Sequence, residues 1–284
     1  MPGTVSWGRL VRISIIRSVD EMVRFKRMSA DLSTPPCVQR SRLRYIGLLN
    51  PSSLRRKGAG MQYTVKRASA SLGSPDANWD RVEWRGVEAL EVTHFPWPDS
   101  GHRPRVRARV LYDDRFLAVI FRVEDRYVRA VAEKFQDSVC LDSCVEFFVA
   151  PLPDSEAYFN FEVNCGGTML LYRCPSTVER EAGEGTVNVS AADGLTIAIA
   201  HSLPHIVEPE IAEPTTWTVE YHVPFSLFAS YFGADTPTSG TRWMANFYKC
   251  GDRTSHPHWG SWAPVHTENP SFHQPSFFQP IDFA

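Results

Sequence analysis

None of the six cysteines of this 284-residue chain forms a Cys-x-x-Cys pair, so the usual spacing of a zinc ribbon is missing. Cys37, Cys140, Cys144, Cys165, Cys174 and Cys250 are scattered instead, and free buried thiols are the default expectation for them. No apolar run approaches the ~18 residues that a membrane-crossing helix needs, which argues against a membrane partner. A secretory leader is not evident either. The stretch RLVRISIIRSVDEMVRF is interrupted by charge every few residues and offers no continuous apolar core. Strands do not alternate with helical patterns, so nothing points to a parallel α/β sheet.

What is present divides at about residue 60. Residues 1–60 hold 12 Lys/Arg against 3 Asp/Glu, leaving 18 against 29 for residues 61–284. The basic segment lacks periodicity, and Met61 stands directly before the first sheet-like pattern. Residues 1–60 are therefore read as a poorly ordered extension, either a basic arm, a transit-type segment, or sequence upstream of a start at Met61. With that start nothing would export the protein, and a cytoplasmic location is the default. Residues 61–284 are read as the folded domain, and its acidic balance argues against a nucleic-acid partner.

From Arg105 onward the hydrophobic pattern has period two. RVRARVLY and FLAVIFRVED flank Asp113-Asp114 and read as an antiparallel hairpin. CVEFFVA (144–150), YFNFEVN (158–164), MLLYR (169–173), LTIAIAHS (195–202), WTVEYHV (217–223) and RWMANFYKC (242–250) continue the series. Pro, Gly, Asn and Asp clusters separate these runs, and a weak helical pattern appears only at 225–232. The expected fold is all-β, an antiparallel β-sandwich of immunoglobulin or jelly-roll type.

Alternation also sorts side chains by face. Phe159, Phe161 and Val163 oppose Asn160, Glu162 and Asn164, while Val145, Phe147 and Val149 oppose Glu146. Trp243, Ala245 and Phe247 oppose Asn246 and Tyr248, and Trp217, Val219, Tyr221 and Val223 oppose Glu220 and His222. A merely solvated face would be richer in Lys, Thr and Ser. Acids and amides interleaved with aromatics suit a planar, polar ligand. The turn-rich segment NFYKCGDRTSHPHWGSW (246–262) adds Lys249, Trp259 and Trp262, with Lys249 joining that face only if the strand bends near its end.

In order along the chain, LYDDRFLAVIFRVED, DSCVEFFVAP, YFNFEVNCGG, WTVEYHVPF and NFYKCGDRTSHPHWGSWAPV resemble the family 9 carbohydrate-binding modules. They are more similar still to free-standing family 9-like proteins of the DOMON-type sandwich group. The resemblance covers about residues 75–284. It implies a non-catalytic domain that binds sugars as an accessory to polysaccharide breakdown, beside glycoside hydrolase partners and sometimes with structural calcium. It further implies that Glu146 accepts hydrogen bonds from sugar hydroxyls, with Asn160, Glu162 and Asn164 as further polar contacts. A stacking Trp of the xylanase-linked members is replaced here by Cys140, which leaves Trp259 or Trp262 as the aromatic platform.

Other readings stay open at this point. Glu146 and Glu162 could form the carboxylate pair of a glycoside hydrolase. Zinc could be held by His256 and His258 with Asp252 or Cys250, and calcium by the Asp113-Asp114 or Asp142 region. The wider sandwich group suggests a haem-binding domain with Met and His ligands. Arg105, Arg107 and Arg109 form a basic stripe, read as a solvated face.

Overall fold

The computed structural model describes residues 61–284, so the expectations for residues 1–60 lie outside the described residues. Fifteen strands follow one another: β1 (Tyr63–Arg67), β2 (Leu90–Val92), β3 (Arg105–Tyr112), β4 (Phe116–Asp125), β5 (Val128–Ala130), β6 (Cys144–Ala150), β7 (Tyr158–Asn164), β8 (Met169–Cys174), β9 (Val187–Asn188), β10 (Ala198–His201), β11 (Val207–Ile211), β12 (Thr215–Pro224), β13 (Arg242–Cys250), β14 (Trp259–Ser261) and β15 (Gln279–Phe283). Helices are short: α1 (Thr177–Glu181), α2 (Ala191–Gly194) and α3 (Phe225–Phe232). No helix among the described residues is long and apolar enough to cross a membrane.

Two layers form the expected sandwich. One runs β10-β12-β4-β3 and the other β15-β13-β6-β7-β8-β9, while β2 pairs with β3, β14 with β13, and β11 with β5. The seam between the layers is hydrogen-bonded at both ends. At one end β1 runs parallel to both β15 and β3, switching from one partner to the other after Val65. At the other end His94, just past β2, exchanges backbone hydrogen bonds with Ser261 of β14 at 3.0 and 2.8 Å. These two parallel pairings depart from the wholly antiparallel expectation, because a strand bridging two sheets must follow both.

Period-two alternation builds the interior. Val106, Ala108 and Val110, then Val119, Phe121 and Val123, face Val145, Phe147, Phe159, Phe161, Trp243 and Phe247 in one apolar cluster. Burying side chains of this size from both inner faces is the main stabilising term. A smaller cluster lies on the outer face of the first layer, where Leu72, Trp79, Trp84 and Val87 cover Leu111, Ala118 and Ile120.

That cover answers what happens to Glu220 and His222, expected to point outward. They do point away from the sandwich interior, yet both are buried. Glu220 accepts from the backbone N–H groups of Asp76 (3.2 Å) and Ala77 (3.0 Å) and from the Arg81 guanidinium (3.0 Å). His222 Nε2 lies 2.9 Å from the same carboxylate. Of the arginine stripe, Arg105 is exposed as expected, whereas Arg107 and Arg109 are half-buried. Arg105 pairs with Glu91 (3.0 Å), Arg107 pairs with Glu124 (2.8 Å), and Arg109 lies over the Trp79 ring.

Replacing Glu220 by Ala removes the acceptor of two buried N–H groups and leaves Arg81 without its buried partner. A loss of about 3–5 kcal/mol is expected, since breaking a buried pair from one side costs that much. Denaturant unfolding of Glu220→Ala checks it, and a change below about 1 kcal/mol would show that the 74–81 segment is not anchored there.

Candidate functional site

Registers of the second layer bring the outward residues into rows. Tyr248 of β13 is opposite Glu146 of β6, which is opposite Glu162 of β7. The neighbouring row runs Asn246, Phe148, Asn160 and Tyr172. On the other side lie Cys250, Cys144 and Asn164, and β14 adds Trp259 beside Cys250 and Ser261 beside Tyr248. Side chains of register partners leave an antiparallel sheet on the same side. Glu146, Asn160, Glu162, Asn164, Asn246, Tyr248 and Trp259 therefore share one face.

The hydrogen bonds then separate these residues by task. Asn164 is spent on the β7–β8 turn, where its Oδ1 accepts from Gly166 N (3.1 Å) and Thr168 N (2.9 Å). Its Nδ2 donates to Asp142 Oδ2 (2.9 Å). Gly167 in that turn has φ +82 and a Cβ there would meet the His201 ring at 2.4 Å, so the turn requires glycine. Asn246 Oδ1 accepts from Phe247 N and Ala263 N, both at 2.9 Å, and its Nδ2 donates to Ala263 O, pinning the chain after β14. Tyr248 is stacked under Phe272 at 4.2 Å, with its hydroxyl bonded to Phe272 O. These three hold the scaffold.

Glu146, Glu162 and Asn160 remain. Asn160 donates to Glu162 Oε1 at 2.8 Å, whereas Glu162 Oε2 is buried without a hydrogen-bond partner. Cys250 Sγ donates to Glu146 Oε1 at 3.0 Å. Burial pushes the Glu162 carboxyl up to about 8, against the lowering effect of the Asn160 amide. Burial, then the neighbouring Cys250 and Glu162, raise Glu146 well above the ordinary carboxylate range. Two facing carboxyls thus keep protons that acids in water would lose.

Trp259 is half-buried at the margin of this face, its Nε1 donating to Asp252 Oδ1 at 2.6 Å. Trp262 is elsewhere: it packs edge-on against Phe247, 5.7 Å between centroids, inside the core cluster. The turn at Val139–Leu141 brings Cys140 next to the face, where its carbonyl accepts from Asp252 N (3.0 Å) and Cys250 Sγ (3.6 Å). Sequence reasoning named Asp252 and Cys250 only as zinc candidates beside His256 and His258, and it passed over Cys144 and Ser261. For Cys144 and Cys250 the same strand parity that selected Glu146 is the signal.

Lys249 does not bend onto the outer face, because β13 stays regular through Cys250 and keeps it opposite Val145. It is buried on the inner side, where Nζ donates to Cys250 O (2.8 Å) and His258 Nε2 (2.9 Å) and lies 3.5 Å from Asp125 Oδ2. Asp125 Oδ1 is 2.7 Å from His102 Nε2, and His258 Nδ1 donates to His256 O at 2.8 Å. His256 stacks on Tyr127 at 3.6 Å. Among the described residues, His256, His258 and Asp252 do not gather into one ligand cluster. Asp142 accepts from Val131 N, Ala132 N and Asn164, and Asp113 from Leu72, Arg115 and Phe116, so the two calcium candidates are occupied by N–H donors.

Burial first, and then the Lys249 ammonium, hold the His258 imidazole down at about 3. The unfolded chain takes up that proton near 6.5 and the folded chain does not, so stability falls as pH drops from about 6.5 towards 3. The slope reaches up to about 1.4 kcal/mol per pH unit. Denaturant midpoints across that window should decline in the wild type and flatten in His258→Gln, which keeps an acceptor for Lys249; identical slopes would contradict the assignment.

Residues 79–283 match the family described as carbohydrate-binding family 9. Among solved structures, a candidate carbohydrate-binding protein from Bacteroides uniformis ATCC 8492 is 28% identical with a TM-score of 0.67, over 80% of this chain and 100% of that one. A family 9 carbohydrate-binding module from Caldicellulosiruptor kristjanssonii, in complex with cellotriose, is 16% identical with a TM-score of 0.52 over 78% of this chain and 93% of the module. Its complex with glucose gives 16% and 0.51, over 79% and 96%. At that identity the likeness speaks for the fold. A comparison with curated proteins finds no match. Because the matched span takes in both layers and the acidic face from Glu146 to Trp259, the chain belongs to carbohydrate-binding family 9.

Proposed function

We propose that the chain binds carbohydrate without cleaving it, on the outer face of its second layer. Glu146, Glu162 and Asn160 form the polar floor and Trp259 the aromatic margin. The observation that carries this reading is the unpartnered, buried Glu162 Oε2 beside Glu146. A carboxyl O–H already removed from water donates strongly to a ligand hydroxyl oxygen, because the cost of stripping its hydration has been met by the fold. Trp259, half-buried at the margin, supplies a π-face for the apolar C–H side of a pyranose. Asn164, Asn246 and Tyr248 act indirectly, by holding the strands and the chain after β14 in place.

Protonation favours binding over catalysis. Glycoside hydrolysis needs one carboxylic acid and one ionised carboxylate. Here burial raises both Glu146 and Glu162, which disfavours the ionised partner that such a pair requires. The haem alternative receives no support from Met169, which is packed into the core cluster. The family 9 module of Caldicellulosiruptor kristjanssonii, solved with cellotriose and with glucose, makes these two sugars the natural first probes. A role beside glycoside hydrolases in polysaccharide breakdown is part of this proposal and rests on the family resemblance alone.

Calorimetric titration with glucose and cellotriose should give a Kd between ~1 μM and ~1 mM. Trp259→Ala should weaken it roughly tenfold and Glu162→Gln by a comparable factor, equivalent to about 1.4 kcal/mol each. Flat titrations with both sugars and with a panel of other mono- and oligosaccharides would overturn the binding reading. Hydrolysis of an aryl glycoside that disappears in Glu146→Gln would replace it with an enzymatic one.

A further inference from the structure

The same face carries two thiols that sugar binding does not use. Cys144 and Cys250 are opposite one another on β6 and β13, and Glu146 follows Cys144 by two residues, so all three project to one side. One ligand atom from each, two sulfurs and an oxygen, lie within 4.8 Å of one another, and all three residues are buried. Glu162 sits across from Glu146 with its Oε2 buried and unpartnered. Among the described residues no Lys or Arg side chain pairs with either carboxylate. The nearby ammonium, Lys249, is turned to the inner side, bonded to Cys250 O and His258.

We propose that Cys144, Cys250 and Glu146 form a binding site for one zinc-class divalent cation, with Glu162 completing the ligand set. Two thiolates and carboxylate oxygens on adjacent antiparallel strands suit a tetrahedral thiophilic ion and not calcium or magnesium, which take oxygen alone. With bonds of about 2.3 Å to sulfur and about 2.0–2.2 Å to oxygen, neighbouring ligand atoms in a tetrahedron stand roughly 3.5–3.8 Å apart, inside the observed spread. On binding, the thiol and carboxyl protons leave to solvent and no electron is transferred. The cation supplies the positive charge that this buried acidic group lacks.

A second cluster shows the contrast. His102, Asp125 and His258 also offer ligand atoms within 4.8 Å of one another. There, however, Lys249 Nζ sits 2.9 Å from His258 Nε2 and 3.5 Å from Asp125, so the protein's own ammonium takes the cation's place. One cluster carries its charge compensation and the other does not.

The site goes beyond the carbohydrate reading and shares Glu146 and Glu162 with it, so it is tested without sugar. Full-length protein, kept reduced with a phosphine, is titrated with Co²⁺ alone. The expected result is one equivalent bound, with a thiolate-to-cobalt charge-transfer band and tetrahedral visible bands that one equivalent of Zn²⁺ abolishes. Cys144→Ser and Cys250→Ser should each reduce that band by about half and weaken cobalt binding at least about tenfold, while Cys174→Ser leaves both unchanged. Wild-type protein without a thiolate band overturns the proposal, whether or not the variants fold. So does a band that persists undiminished in both Cys144→Ser and Cys250→Ser, because other thiols then produce it.

Discussion

The unbroken antiparallel register of β13, β6 and β7 is the constraint on which the site depends. These strands are buried on both faces along nearly their whole length. On the inner side Phe147 stacks on Phe247 at 4.7 Å and on Phe161 at 6.2 Å. A slip of one residue would drive those rings to the other face and bring the acids into the core, so aromatic packing holds the register. Because the inner row is locked, the outer row of Tyr248, Glu146 and Glu162 is locked with it. The proposed binding face is a by-product of core packing in this sense.

Buried charge is handled in two opposite ways within one end of the molecule. On the inner side Lys249, Asp125, His102 and His258 form a closed set in which each charge has a partner and the imidazole of His258 is kept neutral. On the outer side Glu146 and Glu162 face each other with no basic group among their partners in the described residues, and burial favours their protonated forms. The first arrangement is characteristic of a structural network, fully satisfied and therefore rigid. The second leaves bonding capacity unspent, and unspent capacity in a buried place is what a ligand can use.

Much of this was legible in the sequence because alternation is a strong signal when strands are long. RVRARVLY, FLAVIFRVED, CVEFFVA, YFNFEVN and RWMANFYKC coincide with β3, β4, β6, β7 and β13, and 225–232 is helical as its pattern suggested. The face shared by Glu146, Asn160 and Glu162 followed from parity alone. Short strands such as β2, β5, β9 and β14 were not legible, since two or three residues carry no period. In LTIAIAHS the expected strand starts three residues late, because the Ser190 side chain caps a helical turn at Ala191–Gly194. The tasks of Asn164 and Asn246 were hidden for a different reason. Their partners are backbone groups of turns, and a side chain's donors and acceptors are claimed only once the chain has folded back. His102 and Asp125 belong to no local motif and meet Lys249 and His258 through tertiary packing alone.

The most direct test of the carbohydrate account is a crystal structure of the protein soaked with cellotriose. The account places a sugar ring against Trp259, with hydroxyl oxygens within hydrogen-bond distance of Glu146 and of Glu162 Oε2. Cellotriose bound instead in the open cleft between Glu91 and Arg103, or anywhere on the first layer, would contradict it.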